Sequence, residues 1–291
     1  MFSSIRTTMH KLYTTFTGID YELLKFVQEN HRDMYYREPA PIPKNYDELM
    51  AMTDLNVRHR ELTELPSSLT KLKNLRNLHL SNNPFTKLPP VVCDLPNLEA
   101  LSISYTKIEK LPPKIGQLTN LTHIDMIQTR VESLPPEIGN LVKLRTFIAK
   151  NCGLTTLPPE FGNLRKLRRV NLFNNMIEYL PQEFLKLSKL ERLNLSHNHL
   201  TTLPVGFNEF KIIPIPYTLY GLTNLKHLDL CNNNLHNCLD FRKLKNLKKL
   251  DLCLNSLAQF PRFPKSIVKV LAGVPLVFMF TKCICNIIKP K

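Results

Sequence analysis

Leucine recurs along this chain at a fixed interval, and the interval predicts how the chain is built. A leucine that opens the same pattern of apolar and polar positions returns every 23 residues through seven copies, and twice more after a longer gap. A fixed period of this length is typical of chains that stack similar units side by side, so we predict a solenoid of about nine repeats. The opening leucines are Leu49, Leu72, Leu95, Leu118, Leu141, Leu164, Leu187, Leu222 and Leu244.

Within one copy, apolar side chains alternate with polar ones over a short stretch, which indicates a strand with one buried face. In residues 75–83, LRNLHLSNN, the buried positions of that strand are Leu78 and Leu80. We expect the amide of Asn83 to point inward and to bond backbone groups that no strand pairing satisfies. The same place is filled in other copies by Asn175, Asn198, Asn233 and Asn255, in the first copy by Arg60, and in the middle copies by Thr106, Thr129 and Cys152.

A Leu-Pro pair follows the strand in six copies. Proline ends an extended segment and favours the start of a short helical turn. Each copy is therefore expected to run from strand to loop to turn, and neighbouring copies to bury one another's leucines. The pairs begin at Leu88, Leu111, Leu134, Leu157, Leu180 and Leu203.

Three copies extend this pair to L-P-x-x-[IF]-G, at residues 111–116, 134–139 and 157–162. The motif and its spacing resemble intracellular leucine-rich repeat proteins, a group that includes the Ras-suppressor and Ras-scaffold proteins, and the resemblance covers about residues 49–261. It implies an α/β repeat solenoid, a right-handed horseshoe with a parallel β-sheet on its concave face. It also implies a non-catalytic scaffold in intracellular signalling, with a small GTPase, a phosphatase or an adhesion adaptor as the partner.

The ends of the chain depart from the repeat. We assign residues 1–48 to an N-terminal helical cap and proline-rich connector, 49–264 to the repeats, and 265–291 to a basic, apolar C-terminal cap or tail. Residues 20–30 predict a helix that seals the first repeat with Leu23, Leu24 and Val27. Residues 1–17 lack acidic side chains and place apolar ones at helical spacing, so a mitochondrial transit peptide or a membrane-surface helix is the alternative to a cap there.

An apolar insertion interrupts the repeats at about residues 205–221. Exposed apolar segments often mark interaction sites, which favours a docking loop for a partner. Long loops also cost little in a repeat array, so an insertion without function, or non-coding sequence retained in the gene model, explains the segment equally well.

Positive charge is concentrated at the C-terminal end. The formal net charge is +15, and residues 240–291 hold 11 basic and 2 acidic side chains. Such an end favours an acidic protein surface or an anionic membrane, whereas nucleic acid is not expected because no aromatic side chains alternate with the lysines. Cys283 and Cys285 lie among lysines and are candidates for lipidation, which makes a membrane-associated adaptor the alternative function. A degenerate capping repeat is the simpler interpretation of the same segment.

No catalytic or phosphate-binding motif occurs in the sequence, so we predict that the protein is not an enzyme and needs no cofactor. The seven cysteines do not frame the repeats in pairs, which favours a reducing compartment and a cytoplasmic location. Asp229, Cys231, Asp251 and Cys253 fall at equivalent places in neighbouring copies. A metal or redox site there is conceivable, but solvent-facing side chains are the simpler interpretation, and no metal site is predicted.

The repeat register predicts which side chains face the concave side and contact water: the residue that alternates with the strand apolar residues, and the two positions after the strand apolar residues. Most of these are small and polar, but the middle copies place large apolar side chains there. An apolar centre with an arginine rim is typical of a protein-binding hot spot, and the arginines favour a partner with an acidic patch. The predicted partner-binding residues are Tyr105, Ile127, Gln128, Ile148, Lys150, Phe173, Arg145, Arg168, Arg169 and Arg192.

Overall fold

The leucine period becomes one strand per repeat in a computed structural model, which describes residues 21–31, 42–203, 219–236, 240–258 and 261–272. The strands of the described ranges form one parallel sheet in chain order, which confirms the predicted repeat solenoid. Ten strands stand where about nine repeats were predicted, because the tenth lacks the regular leucine spacing. They are β1 (Asp54–Asn56), β2 (Asn77–His79), β3 (Ala100–Ser102), β4 (His123–Asp125), β5 (Thr146–Ile148), β6 (Arg169–Asn171), β7 (Arg192–Asn194), β8 (His227–Asp229), β9 (Lys249–Leu252) and β10 (Lys269–Ala272).

Neighbouring strands pair in register, so equivalent residues of successive repeats lie opposite each other. Leu55 lies opposite Leu78, Leu78 lies opposite Leu101, and the equivalent apolar residue of each later strand continues the row to Val270. These side chains are buried on one face of the sheet. Because side chains alternate along a strand, the polar positions of every strand share the other face, where neighbouring strands lie about 4.8 Å apart. This second face is called the open face below.

Buried asparagine amides join each repeat to the next. The Asn83 amide nitrogen donates to the Val57 and Leu80 carbonyls, both at 2.8 Å, and its oxygen accepts from the backbone N–H groups of Arg60 and Leu62, both at 3.0 Å. One side chain therefore satisfies backbone groups of two repeats, as the sequence predicted. The same pattern recurs at Asn175, Asn198, Asn233 and Asn255.

Three consecutive repeats replace the asparagine with a shorter side chain that makes fewer bonds. The Thr106 hydroxyl donates to the Ile103 carbonyl at 2.8 Å, and the Thr129 hydroxyl donates to the Met126 carbonyl at 3.2 Å. The Cys152 thiol contacts the Met126 carbonyl at 2.9 Å. None of these side chains carries both the donors and the acceptor of an amide, so the repeats in the middle of the sheet lack the four-bond contact that asparagine makes elsewhere.

Short 3-10 helices line the side away from the open face. In four of them the second proline of a Pro-Pro pair occupies the first position, where its fixed φ suits a helical turn. The motif glycine that follows permits close packing, since a Cβ on Gly116 would lie 2.8 Å from the Glu137 carbonyl oxygen in the next repeat. The helices are Ser67–Lys71, Pro90–Asp94, Pro113–Gln117, Pro136–Asn140, Pro159–Asn163 and Gln182–Lys186.

Within the described ranges, two short α-helices precede the sheet, α1 (Tyr21–Asn30) and α2 (Tyr46–Ala51). Leu23 and Val27 of α1 are fully buried and belong to the same apolar core as the repeats. The next residue after α1, His31, accepts the backbone N–H of Asn56 through Nδ1 at 3.0 Å, so the N-terminal helix also bonds the first strand. No helix within the described ranges is both long and apolar enough to cross a bilayer.

Replacing Asn175 with alanine tests whether the amides hold the repeats together. Its loss leaves the N–H groups of Cys152 and Leu154 and the Ala149 and Leu172 carbonyls without their partner. We expect Asn175→Ala to lower the free energy of unfolding by about 3 kcal/mol or more, since each stranded buried group costs about 1–3 kcal/mol. Urea unfolding followed by circular dichroism measures the change. The control is Asn163→Ala, at an exposed asparagine, and equal losses in both variants would contradict this account.

Candidate functional site: the open face of the sheet

The open face is organised in three columns that cross the strands. The leading column precedes the buried residue of each strand: Asp54, Asn77, Ala100, His123, Thr146, Arg169, Arg192, His227, Lys249 and Lys269. The middle column follows that buried residue: Asn56, His79, Ser102, Asp125, Ile148, Asn171, Asn194, Asp229, Asp251 and Leu271. The trailing column comes two residues later: Arg58, Ser81, Ser104, Ile127, Lys150, Phe173, Ser196, Cys231 and Cys253.

The serines of these columns are buried, although the sequence predicted exposed positions. Ser81 and Ser102 share a hydrogen bond of 2.8 Å between their hydroxyls, and Ser104 donates to the Asp125 carboxylate at 2.6 Å. A serine is shorter than its neighbours in the column, so water does not reach it and its hydroxyl bonds the adjacent strand instead. The water-facing part of the open face is therefore made by the larger side chains.

Five of the ten predicted partner-binding residues line one cleft of about 640 Å³ on the open face. They are Ile148, Arg145, Arg168, Arg169 and Arg192. The other five, Tyr105, Ile127, Gln128, Lys150 and Phe173, do not line it, and they lie toward the carboxyl ends of the strands. The four arginines therefore flank the apolar side chains on one side, and Lys150 lies between Ile127 and Phe173 in the trailing column. The predicted rim does not encircle the apolar centre.

The predicted apolar side chains lie on adjacent repeats, but their exposure differs. Tyr105 is 51% exposed, whereas Ile127, Ile148 and Phe173 are half-buried. Phe173 packs edge-on against the His197 ring of the next repeat, with centroids 4.9 Å apart. The Ile127 backbone N–H donates to the Ser104 hydroxyl at 2.9 Å. Tyr105 is thus the member of this group that projects furthest into solvent.

Tyr105 also has a backbone conformation that its side chain disfavours. Its φ is +57°, and the residue at the same place in every repeat from His59 to Leu254 has a positive φ. Asparagine tolerates the left-handed region better than other residues with a Cβ, and it occupies four of these places: Asn82, Asn151, Asn174 and Asn232. Tyrosine lacks the short polar side chain that can bond the local backbone in this region, as the side chain of asparagine can. The exposed aromatic ring of Tyr105 is therefore kept at a cost in backbone strain.

The leading column carries functional candidates that the sequence analysis missed. His123 joins the first cleft beside Arg145 and Arg169, and His227, Lys249 and Lys269 line a second cleft of about 440 Å³. Arg169 and Arg192 contribute to both clefts, which makes them continuous. The signal was present in the sequence, because the residue before each strand leucine shares a face with the residue after it.

Positive charge dominates the electrostatics of both clefts. Burial lowers the pKa of His123, and Arg145 and Arg169 lower it further. Burial likewise lowers the pKa of His227, with Arg192 and Lys249 as the next causes. Both imidazoles are therefore neutral at pH 7 and available as hydrogen-bond donors and acceptors among permanently charged neighbours.

Of the four residues considered for metal or redox chemistry, each aspartate accepts the backbone N–H of the cysteine two residues later. Asp229 accepts the Cys231 N–H at 3.1 Å, and Asp251 accepts the Cys253 N–H at 3.0 Å. Burial raises the pKa of Asp229, and the neighbouring Asp251 carboxylate adds to this shift. Across the described ranges, no three His, Cys, Asp or Glu side chains are grouped so as to hold a metal ion.

The repeats and the sheet define the fold class: the chain is built of leucine-rich repeats stacked as a solenoid. A family model described as leucine-rich repeat region matches residues 68–145, and a second, described as leucine rich repeat, matches residues 142–200. A search of curated proteins gave no match.

Solved structures share the fold. A leucine-rich repeat protein of Leptospira interrogans is 30% identical, with a TM-score of 0.68, over 80% of this chain and 60% of its own. An internalin, InlF of Listeria monocytogenes, is 22% identical, with a TM-score of 0.58, over 73% and 58%.

A plant structure belongs to the same set. The ectodomain of the receptor kinase GASSHO1/SCHENGEN3 of Arabidopsis thaliana, in complex with CASPARIAN STRIP INTEGRITY FACTOR 2, is 23% identical, with a TM-score of 0.59, over 79% and 31%. At this identity the internalin and the plant receptor show the fold alone. The chain spans 31–60% of the lengths of these three structures.

Tyr105→Asn is expected to stabilise the fold by about 1 kcal/mol, because it relieves a strained left-handed residue. Thermal and urea unfolding measure the gain. Tyr179→Asn is the control, because Tyr179 is a similarly exposed tyrosine that does not have a positive φ, and it is expected to give no gain. An unchanged or lower stability in Tyr105→Asn would show that the ring contributes more to folding than the backbone conformation costs.

Proposed function

We propose that this protein is a non-catalytic scaffold that binds a partner protein through the open face of its sheet. The observation that carries the proposal is the row of large side chains brought together from four repeats. Tyr105, Ile127, Ile148 and Phe173 are far apart in the chain, yet they lie on neighbouring repeats beside a cleft lined by arginines. Leucine-rich repeat proteins generally mediate protein–protein interaction, which agrees with this composition.

The charge of the cleft favours a partner with an acidic patch. Arg145, Arg169 and Arg192 form no salt bridge with any described residue, so their charge is available to a ligand. Opposite charge on a partner would speed encounter and fix its orientation. The resemblance to Ras-suppressor and Ras-scaffold proteins favours a small GTPase, a phosphatase or an adhesion adaptor, and a role in cytoplasmic signalling. The partner class and the cytoplasmic signalling role are both parts of this proposal.

A membrane-associated adaptor is the second candidate function, and the concentration of basic residues toward the C-terminus favours it. Cys283 and Cys285, the candidates for lipidation, lie outside the described residues. Within the described part of the same segment, β10 pairs with β9 and extends the sheet. The membrane proposal therefore rests on the residues beyond β10.

Truncating the apolar side chains tests the scaffold proposal. The variant Tyr105→Ala/Ile148→Ala/Phe173→Ala is expected to lose at least tenfold in affinity for captured proteins, since central apolar anchors dominate interface energies. Immobilised wild type and variant are compared by quantitative capture from native lysate, and thermal unfolding checks that the variant folds.

The matched control is Val142→Ala/Met176→Ala/Tyr179→Ala, at three exposed apolar side chains that belong neither to the three columns nor to the predicted partner-binding residues. It should retain the proteins that the wild type retains. If both variants and the wild type capture the same proteins equally, the open-face site is wrong.

A further inference from the structure

Five basic side chains lie side by side on consecutive strands at one end of the open face. Arg169, Arg192, His227, Lys249 and Lys269 are successive Cα partners on β6 to β10, and they are called the basic ladder here. All five line the second cleft. Neighbouring parallel strands hold their side chains about 4.8 Å apart, so the ladder sets four cations in one line, with the neutral imidazole of His227 between Arg192 and Lys249.

The charge of the ladder is not balanced within the described part of the chain. Arg169, Arg192, Lys249 and Lys269 form no salt bridge with any residue described there, whereas just outside the ladder Glu191 pairs with Arg168 at 3.4 Å and with Lys226 at 2.9 Å. Like charges at this spacing repel one another, and the four cations of the ladder outnumber the two carboxylates, Asp229 and Asp251, that line the same cleft. The ladder is therefore a favourable place for an anionic ligand.

The carboxylates close to the basic ladder indicate what kind of anion fits the second cleft. Asp229 and Asp251 lie two residues along the same strands and line the same cleft. A nucleic acid lying on this face would bring phosphates against both carboxylates. The only aromatic ring of the ladder is the imidazole of His227, so the ladder offers no row of rings on which successive bases could stack. The leading and middle columns are about 6.6 Å apart along each strand, so the backbone of an extended peptide can follow the leading column and direct its side chains toward the cations.

We propose that the basic ladder binds an extended acidic segment of the partner protein, laid across β6 to β10. Four strand spacings span about 19 Å, which an extended peptide of about six residues covers at about 3.3 Å per residue. Carboxylates on such a segment bond the arginine guanidinium groups in bidentate pairs and meet the lysines as point charges. This inference rests on the proposed scaffold function and names the chemistry of its partner.

Fluorescence anisotropy with labelled hexaglutamate and hexaglutamine peptides tests the assignment. The full chain is expected to bind hexaglutamate and not hexaglutamine, with affinity that falls as salt rises. The ladder variant Arg169→Gln/Arg192→Gln/Lys249→Gln should bind hexaglutamate at least about tenfold more weakly.

The control variant, Lys166→Gln/Lys189→Gln/Lys245→Gln, removes the same charge at exposed lysines outside both clefts, and it should change the affinity by about twofold or less. If the triple ladder variant does not fold, Lys249→Gln/Lys269→Gln is compared with Lys166→Gln/Lys189→Gln. Circular dichroism establishes which variants are folded.

Equal losses in the ladder and control variants would overturn the proposal, because net charge rather than the ladder would explain binding. Tighter binding of hexathymidylate or of anionic vesicles than of hexaglutamate would overturn the peptide assignment. Failure here is distinct from failure of the scaffold function. If hexaglutamate does not bind but the Tyr105→Ala/Ile148→Ala/Phe173→Ala variant still loses captured proteins, the basic-ladder proposal is wrong and the scaffold proposal is supported.

Discussion

The structure depends on the constraint that neighbouring repeats stack in one register. The asparagine amides enforce it, because each one bonds the backbone of its own repeat and of the repeat before. Asn198, for example, donates to the Leu172 and Leu195 carbonyls and accepts the Ile177 N–H. A slip of one residue would leave these buried groups without partners and would turn the strand leucines toward water. The open face is a consequence of this register.

The candidate site lies where the asparagine row is interrupted. Thr106, Thr129 and Cys152 follow Tyr105, Ile127 and Lys150 within one or two residues. Three of the four repeats that present the apolar side chains thus lack the asparagine amide, whereas the repeat of Phe173 keeps it at Asn175. Apolar packing compensates in part at one edge of this region, where Phe147 and Phe161 meet edge-on with centroids 5.3 Å apart. Together with the left-handed Tyr105, this concentrates departures from the repeat pattern in one region, as is common at functional sites.

Much of the fold was predictable, because a strict leucine spacing can bury its apolar side chains in one way only. The strand positions, the inward asparagines and the Leu-Pro turns all followed from that spacing. The tenth strand did not, since Lys269 to Ala272 lacks the leucine pair and its place depends on pairing with β9. The left-handed positions were also missed, because Tyr105 and Leu254 adopt a conformation that their residue types disfavour and the repeat geometry imposes.

The candidate site was predictable in part. The repeat register placed Tyr105, Ile127, Ile148 and Phe173 on one face, but it did not show how far apart the columns of that face lie. The arginines were therefore expected to surround the apolar group, and they lie on one side. The burial of Ser81 and Ser104 depends on the size of neighbouring side chains, which a repeat pattern does not contain. His227, Lys249 and Lys269 were overlooked because the leading column was left out of the predicted face.

A nickel-binding measurement tests the register most directly. Ala100 lies opposite His123 on the neighbouring strand, so Ala100→His would place two imidazoles on adjacent rungs, close enough to share a metal ion. Nickel is expected to raise the unfolding temperature of Ala100→His, and to raise it much less when His123→Gln is added. Equal stabilisation by nickel with and without His123 would contradict the in-register pairing of neighbouring strands, on which this account rests.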